Sequence, residues 1–376
     1  MADIYVSVGS TVAIPKAALE NLVTRLSQMG YRVLGPQIQD GVIVYTYLKS
    51  VRDLPKGYIS HQDAASYRLV YTGHPRYFDV TPGAQSWKQF FFPPQSELAR
   101  FTRDDNGRWQ LEEQVTDLTP IALFGVFPCD LAAIQIQDRI FLREEWKDPI
   151  YWSRRQSAFI LSVNCLHPCG TGFCASMGTG PKTRQGFDLN LTELDDVFLV
   201  EIGSEAGRLV MEGIAVLPTS AFWLQAGQKS LEDARARMGR SLPQPEDLPE
   251  LLLNNLDAHQ WDDVARRCMS CTSCTQVCPT CFCWDARDSS DLTGQNSRRE
   301  RLWDSCFNPD YSYIVGGNSR PNTRSRYRQW LTHKFGSWYA QFGSSGCVGC
   351  GRCITWCPAK IDVTVELSAI REEVQA

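Results

Sequence analysis

Two cysteine runs share one spacing. "CMSCTSCTQVCP" begins at Cys268 and "CVGCGRCITWCP" begins at Cys347, so C-x2-C-x2-C-x3-C-P occurs twice in a chain of 376 residues. Three thiols two residues apart suit a cubane 4Fe–4S cluster better than a single ion. A structural zinc site usually takes cysteines in pairs separated by a long insert. Disulfides do not account for the runs either, because neighbouring thiols in a tight loop rarely reach bridge geometry. Where this spacing holds two clusters, three cysteines wrap one cluster and the fourth ligates the other. The pattern thus assigns Cys268, Cys271, Cys274 and Cys357 to a first cluster, and Cys347, Cys350, Cys353 and Cys278 to a second. Pro279 and Pro358 suit the first turn after each fourth ligand, where a missing N–H costs nothing. The competing readings are a pair of zinc sites or coincidence, and two copies of a four-cysteine spacing are far more specific than one CxxC pair.

Composition narrows the setting. The chain is 43% hydrophobic and 21% charged, with a formal net charge of −4. That is ordinary globular composition, and the length suggests two or three domains. The charge gives no reason to expect nucleic acid or an anionic membrane as partner. "MADIYVSVGS" has no basic–apolar–small leader, and no run reaches the length of a membrane span. Fifteen cysteines without a leader lead us to expect a reducing, cytoplasmic setting and metal ligation.

The N-terminal part mixes helix and strand. "PKAALENLVTRLSQMG" places Leu19, Leu22, Val23 and Leu26 at helical spacing, with Gly30 as its stop. "GVIVYTYL", "SYRLVYTG", "PIALFGVF", "SAFILSVN" and "VFLVEIGS" predict strands, and "DLAAIQIQDRIFL" a helix. Further on, "QKSLEDARARMG" and "PEDLPELLLNNLDAHQWDDVARRC" predict charged, leucine-bearing helices, with a boundary near Ser220–Pro245. From Arg266 onward strand-like runs are few. The expected fold class is therefore α+β: a mixed α/β domain over residues 1–225, a helical connector over 226–265, and an all-α, ferredoxin-like two-cluster domain over 266–376.

The insert between the runs is basic, with Arg298, Arg299, Arg301, Arg320, Arg324, Arg326, Arg328 and Lys334. Cations beside a negatively charged cluster would ease its reduction and donate to its sulfurs. A solvated face or a docking patch is the plainer reading. Trp303, Tyr327, Trp330 and Trp338 interleave with the arginines, a mixture that also suits single-stranded nucleic acid, although the acidic net charge argues against it.

Seven cysteines lie outside the two runs. Cys129 sits between a predicted strand and a predicted helix. Cys165, Cys169 and Cys174 lie in the glycine-rich "VNCLHPCGTGFCASMGTG". If the strands before Cys129 and Cys165 are parallel neighbours, both cysteines leave the sheet at one edge. Four thiols then suffice for a third 4Fe–4S cluster, the alternative being buried free thiols. His167 is an outside candidate ligand. Cys281, Cys283 and Cys306 remain, as thiols packed beneath a cluster, a redox switch or a site for substrate sulfur.

These stretches resemble a known group. "CPTCFC", "RRERLWDSCF", "GGNSRPNTRSRYR" and "CVGCGRC", with "FGVFPCDLAAIQIQDRIF", "GFDLNLTEL" and "GRLV" upstream, are similar to the iron–sulfur beta subunits of cytoplasmic sulfhydrogenase-type nickel–iron hydrogenases. The first subunit of anaerobic sulfite reductase belongs to the same group. The resemblance covers roughly residues 120–360. It implies the eight C-terminal ligands and an N-terminal site on Cys129, Cys165 and Cys174. The group tends to show a C-x-C pair where this chain has Gly172 and Cys174, and Cys169 stands upstream instead. The resemblance further implies an electron wire between a flavin subunit handling NAD(P) and a catalytic part made of an Fe–S small subunit and a nickel–iron large subunit.

Nothing in the residues suggests hydride chemistry on this chain. There is no G-x-G-x-x-G after a strand, no phosphate or flavin loop, and no nickel ligand set. The reading that follows is a non-catalytic relay of two, with the N-terminal site three, 4Fe–4S clusters, carrying no flavin or NAD(P) and binding neither nucleic acid nor membrane. The alternatives are the corresponding sulfite reductase subunit, a nucleic-acid-processing protein with structural clusters, and a self-sufficient sulfur-reducing enzyme using Cys281, Cys283 or Cys306.

Overall fold

The computed structural model describes residues 6–112 and 119–375. Residues 1–5, part of the stretch in which no leader was read, lie outside them. Fifteen strands are found in the described residues. Seven form the central sheet: β1 (Thr11–Pro15), β2 (Arg32–Gln39), β3 (Val42–Tyr47), β8 (Ile121–Val126), β9 (Phe159–Val163), β10 (Leu189–Glu193) and β11 (Val197–Ile202), in the order β1-β11-β10-β9-β8-β2-β3. The four middle strands, β10, β9, β8 and β2, run parallel, and antiparallel strands close both edges.

The sheet is covered on both faces, which explains why β8 and β9 are buried at every position. On one face lies the helix Leu19–Gln28. Its Leu19, Leu22, Val23 and Leu26 are all buried, against Ile14, Val33, Phe124 and Val200. Each contributes about 1.5–3 kcal/mol by leaving water. Gly30 takes φ +88° and ends the turn, as its position predicts. The helix Pro128–Phe141 covers the other face, with Leu131, Ile134 and Phe141 against Leu34, Leu123 and Ile160. "SYRLVYTG" is a strand as expected, but β5 (Ser66–Tyr71) pairs only with β4 (Tyr58–Asp63), in a separate ribbon. The leucine-bearing stretches become the helices Ala221–Ala236, Leu248–Asn254 and Gln260–Arg267.

The expectation of an all-α C-terminal domain is overturned. The basic insert forms β12 (Trp284–Ser290) and β13 (Asn296–Trp303), and β13 pairs with β6 (Gln95–Arg103), which pairs with β7 (Trp109–Glu112). A further small hairpin joins β14 (Tyr313–Ile314) to β15 (Gly317–Asn318). Charge hid these strands, because "WDARDSS" and "NSRRERLW" lack the apolar alternation that marks a strand. Their support comes from cross-strand pairs such as Arg299–Asp288 at 2.7 Å. The turn is fixed by Asp291, whose carboxylate accepts from the Gln295 N–H, the Thr293 hydroxyl and the Asn296 amide, with Gly294 at φ +66°. The four-stranded sheet β12-β13-β6-β7 therefore combines N-terminal strands with strands from between the cysteine runs. Among the described residues no helix is long and apolar enough to cross a membrane.

Candidate metal centres

Three cavities divide twelve of the cysteines among them. Cys268, Cys271 and Cys274 of the first run line the first cavity, together with Cys357 from the end of the second. The second is lined by Cys347, Cys350 and Cys353, together with Cys278 from the end of the first run. Cys129, Cys165, Cys169 and Cys174 line the third. The cavities adjoin in a row, since Cys353 lines both the first and the second, and Cys350 both the second and the third. Among the described residues, no group of three or more His, Cys, Asp or Glu side chains closes tightly enough to hold a single metal ion.

The third cavity follows from the sheet. β8 and β9 are parallel neighbours with Leu123 opposite Ile160, so the chain leaves both at one edge. Cys129 lies in the first turn of the helix after β8, and Cys165 two residues beyond β9. The loop carrying Cys169 and Cys174 is clamped to the second run by Phe173 N–H donating to the Gly349 carbonyl at 2.8 Å, and by the Thr171–Thr355 hydroxyl pair at 2.7 Å. A Cβ on Gly172 would stand 2.7 Å from the Cys169 sulfur, so that sulfur occupies the space into which a side chain at 172 would grow. His167 is half-buried and does not line the cavity.

Burial pushes most of these thiols up. Cys165 and Cys347 rise to about 12, and Cys129, Cys174, Cys274 and Cys353 are raised well above the ordinary thiol range, with neighbouring thiols adding to burial in each case. Holding four such groups as thiolates calls for concentrated positive charge among them, which an iron cluster supplies. Two donors beside the first cavity point the same way. The Tyr327 hydroxyl and the Trp330 indole N–H are buried without a hydrogen-bond partner among the described residues, and both residues line that cavity. Cluster sulfur is an acceptor within the chemistry of such a site.

The cations do not lie where the basic insert places them. Arg299, Arg301, Arg298 and Arg324 pair with Asp288, Asp148, Glu300 and Asp262, Arg326 donates to backbone carbonyls, and Arg328 donates to the Leu256 carbonyl and lies near Asp257. Arg320 donates to Ser312. Of the interleaved aromatics, Tyr327, Trp330 and Trp338 are core residues and Trp303 is half-buried. Lys334 alone of that set lines a cavity, the second, donating to Thr280 Oγ1 at 2.9 Å and the Gly346 carbonyl at 3.3 Å. Burial alone would lower its pKa, but Cys278, Cys281 and Cys347 outweigh burial and raise it.

Sequence reasoning missed two other buried cations. Arg352 stands inside the second run and makes a bidentate pair with Asp130, both N···O distances 2.8 Å, with the two side chains 2% and 1% exposed. It also donates to the Gly83 carbonyl at 3.2 Å. The pair joins the second run to the residue after Cys129, and Arg352 lines the third cavity beside Cys350. Lys88 is the other. It donates to the Cys281 carbonyl at 3.2 Å and lies 3.5 Å from the centre of the Trp303 ring, and burial pushes it down to about 8. The hint in the sequence was slight: Arg352 is the only charged residue in either four-cysteine run before the proline, and Asp130 directly follows a cysteine.

Residues 267–361 match the 4Fe–4S dicluster domain family. Over 287 residues the chain is 32% identical to sulfhydrogenase 2 subunit beta of Pyrococcus furiosus, an alignment covering 76% of this chain and 82% of that relative. No solved structure matches. The chain belongs to the family of the sulfhydrogenase beta subunits.

Proposed function

We propose that the chain is the electron-transfer subunit of a cytoplasmic hydrogenase-type complex and holds three 4Fe–4S clusters in a row. The first is held by Cys268, Cys271, Cys274 and Cys357, the second by Cys347, Cys350, Cys353 and Cys278, and the third by Cys129, Cys165, Cys169 and Cys174. The observation that carries this reading is the division of twelve cysteines among three adjoining cavities, with the fourth thiol of each run lining the other run's cavity. A 4Fe–4S cluster takes up and releases one electron reversibly at a potential tuned by its surroundings.

The chain's own residues set those surroundings. Lys334 places a buried positive charge beside the second site, favouring its reduced form. Arg352 does the same between the second and third sites, held in place by Asp130. Cys169 supplies the fourth ligand of the third site, its sulfur filling the place left by Gly172. The division into residues 1–225, 226–265 and 266–376 belongs to the same proposal, with the sheet containing β6 and β13 fastening the outer two parts together.

On this reading the partners are a flavin subunit handling NAD(P) and the Fe–S small and nickel–iron large subunits of the complex, in line with the hydrogenase name of the relative. Iron analysis of anaerobically loaded protein tests the proposal. Three clusters give about twelve irons per chain and two give about eight. The Cys165→Ala, Cys174→Ala double variant should lose about four while the remaining clusters persist. A wild type holding only eight would reduce the N-terminal cysteines to buried thiols.

A further inference from the structure

Three thiols stay outside the three cavities: Cys281, Cys283 and Cys306. They are not scattered. Cys281 stands beside Cys278, and Cys283 beside Cys306, each pair close enough to shift the other's titration. The second pair stands at the root of the β12–β13 ribbon, where Trp284 and Trp303 are register partners. Just below them the Asp304 N–H donates to the Cys283 carbonyl at 2.9 Å, locking the two chain segments together. Both thiols are half-buried, so solvent protons can reach them.

The pair lies against the walls of two proposed cluster sites. Ser305, before Cys306, is bonded through its hydroxyl to Thr275 at 2.7 Å, the residue after Cys274. Phe307, after Cys306, lines the first cavity. Cys283 feels the charge of Lys334, which lines the second cavity. The neighbouring Cys306 thiol and Tyr311 hydroxyl hold the Cys283 pKa below the usual thiol range against the opposing effect of burial. One partner is thus prepared as the thiolate and the other as the thiol.

We propose that Cys283 and Cys306 are a redox-active dithiol that exchanges two electrons, one at a time, with the first and second cluster sites. This rests on the relay reading above. From this thiolate–thiol pair, closing forms one S–S bond, releases the one thiol proton to solvent and passes one electron to each of two oxidised clusters. Opening it breaks that bond, takes up one proton to restore the thiolate–thiol pair and draws one electron from each of two reduced clusters. The pair would thereby join one-electron traffic along the row to two-electron sulfur chemistry at the base of the ribbon.

The test uses the full-length, iron-loaded protein. Samples poised anaerobically with an oxidising dye or with dithionite are acid-quenched, alkylated with N-ethylmaleimide and digested for peptide mass spectrometry. Cys283 and Cys306 should be joined in the oxidised sample and both alkylated in the reduced one. The Cys306→Ser variant should leave Cys283 alkylated in both samples, with iron content unchanged. Thiols alkylated in both wild-type samples, in protein with its full iron, overturn the dithiol alone. Loss of about four irons from Cys306→Ser overturns it in favour of ligation. Wild type without iron overturns the relay, and with it the electron source. Should the variant fail to fold, the wild-type comparison decides by itself.

Discussion

Ser270 and Gly349 hold the same place in the two cysteine runs and share a left-handed backbone, with φ of 50° and 66°. Two residues on, Thr272 and Gly351 do so again, at 66° and 74°. The spacing thus dictates the backbone path in both runs, but only one run uses glycine for it. The reason lies in what stands opposite. A Cβ on Gly349 would lie 2.7 Å from the backbone of Phe173 and Cys174, and one on Gly351 2.4 Å from the Thr171 carbonyl. The first run faces no such wall: Cys271 and Met269 are exposed, the latter by 69%. The second run is walled in by the glycine-rich loop of the N-terminal part, whereas the first forms the open end of the row. Identical spacing therefore conceals different surroundings, an open face at one end and a packed junction in the middle.

The largest effect that could break this comparison comes from the fourth ligands. Cys278→Ala should damage the cluster of the second run, and Cys357→Ala that of the first, each with a loss of about four irons. Iron analysis with electron paramagnetic resonance of the reduced variants separates the two signals. If Cys278→Ala instead removes the signal lost on replacing Cys268 or Cys271, each run holds its own cluster and the crossed arrangement fails.

Next in size is the buried ion pair. Arg352 of the second run corresponds in position to Ser273 of the first. Arg352→Met leaves Asp130 charged and buried, and should lower stability by about 3–5 kcal/mol. Ser273→Ala, at a half-buried site, should change it by less than about 0.5 kcal/mol. Adding Asp130→Asn to Arg352→Met should recover part of the loss, because it removes the stranded charge. Denaturant midpoints of the loaded proteins measure all three. Equal losses at 352 and 273 would mean that the junction carries no more load than the open end.

The sequence made some of this legible and hid the rest for identifiable reasons. Leu19, Leu22, Val23 and Leu26 declared their helix because a single face is buried. β8 and β9 were readable as unbroken apolar runs, and the exit of Cys129 and Cys165 at a shared edge followed from their being parallel neighbours. β12 and β13 were missed because their pairing rests on Arg299–Asp288 and on β6, a partner almost two hundred residues away in sequence, so no local apolar period announced them. The arginines of the insert were legible as charge but not as pairs. Arg352 was passed over because its partner is chosen by the tertiary fold: nothing near either residue shows that Asp130 and Arg352 will meet in the core.

The smallest expected effects, and the sharpest test of why the runs differ, come from exchanging their residues. A left-handed non-glycine residue costs about 1–2 kcal/mol, and a side chain forced into a filled space about 1–3 kcal/mol. Gly349→Ser incurs both and should destabilise the protein by about 2–5 kcal/mol. Ser270→Gly relieves the backbone strain but loosens the unfolded chain, an opposing effect of about 0.4–1 kcal/mol, so its net change should stay within about 1 kcal/mol. Paired thermal or denaturant unfolding of the two variants decides what the glycines are for. If the wall built by Phe173 and Cys174 is the cause, the two exchanges will be strongly unequal. If backbone conformation alone selected glycine, Gly349→Ser would lose only what Ser270→Gly gains, and the second run would be no more tightly enclosed than the first.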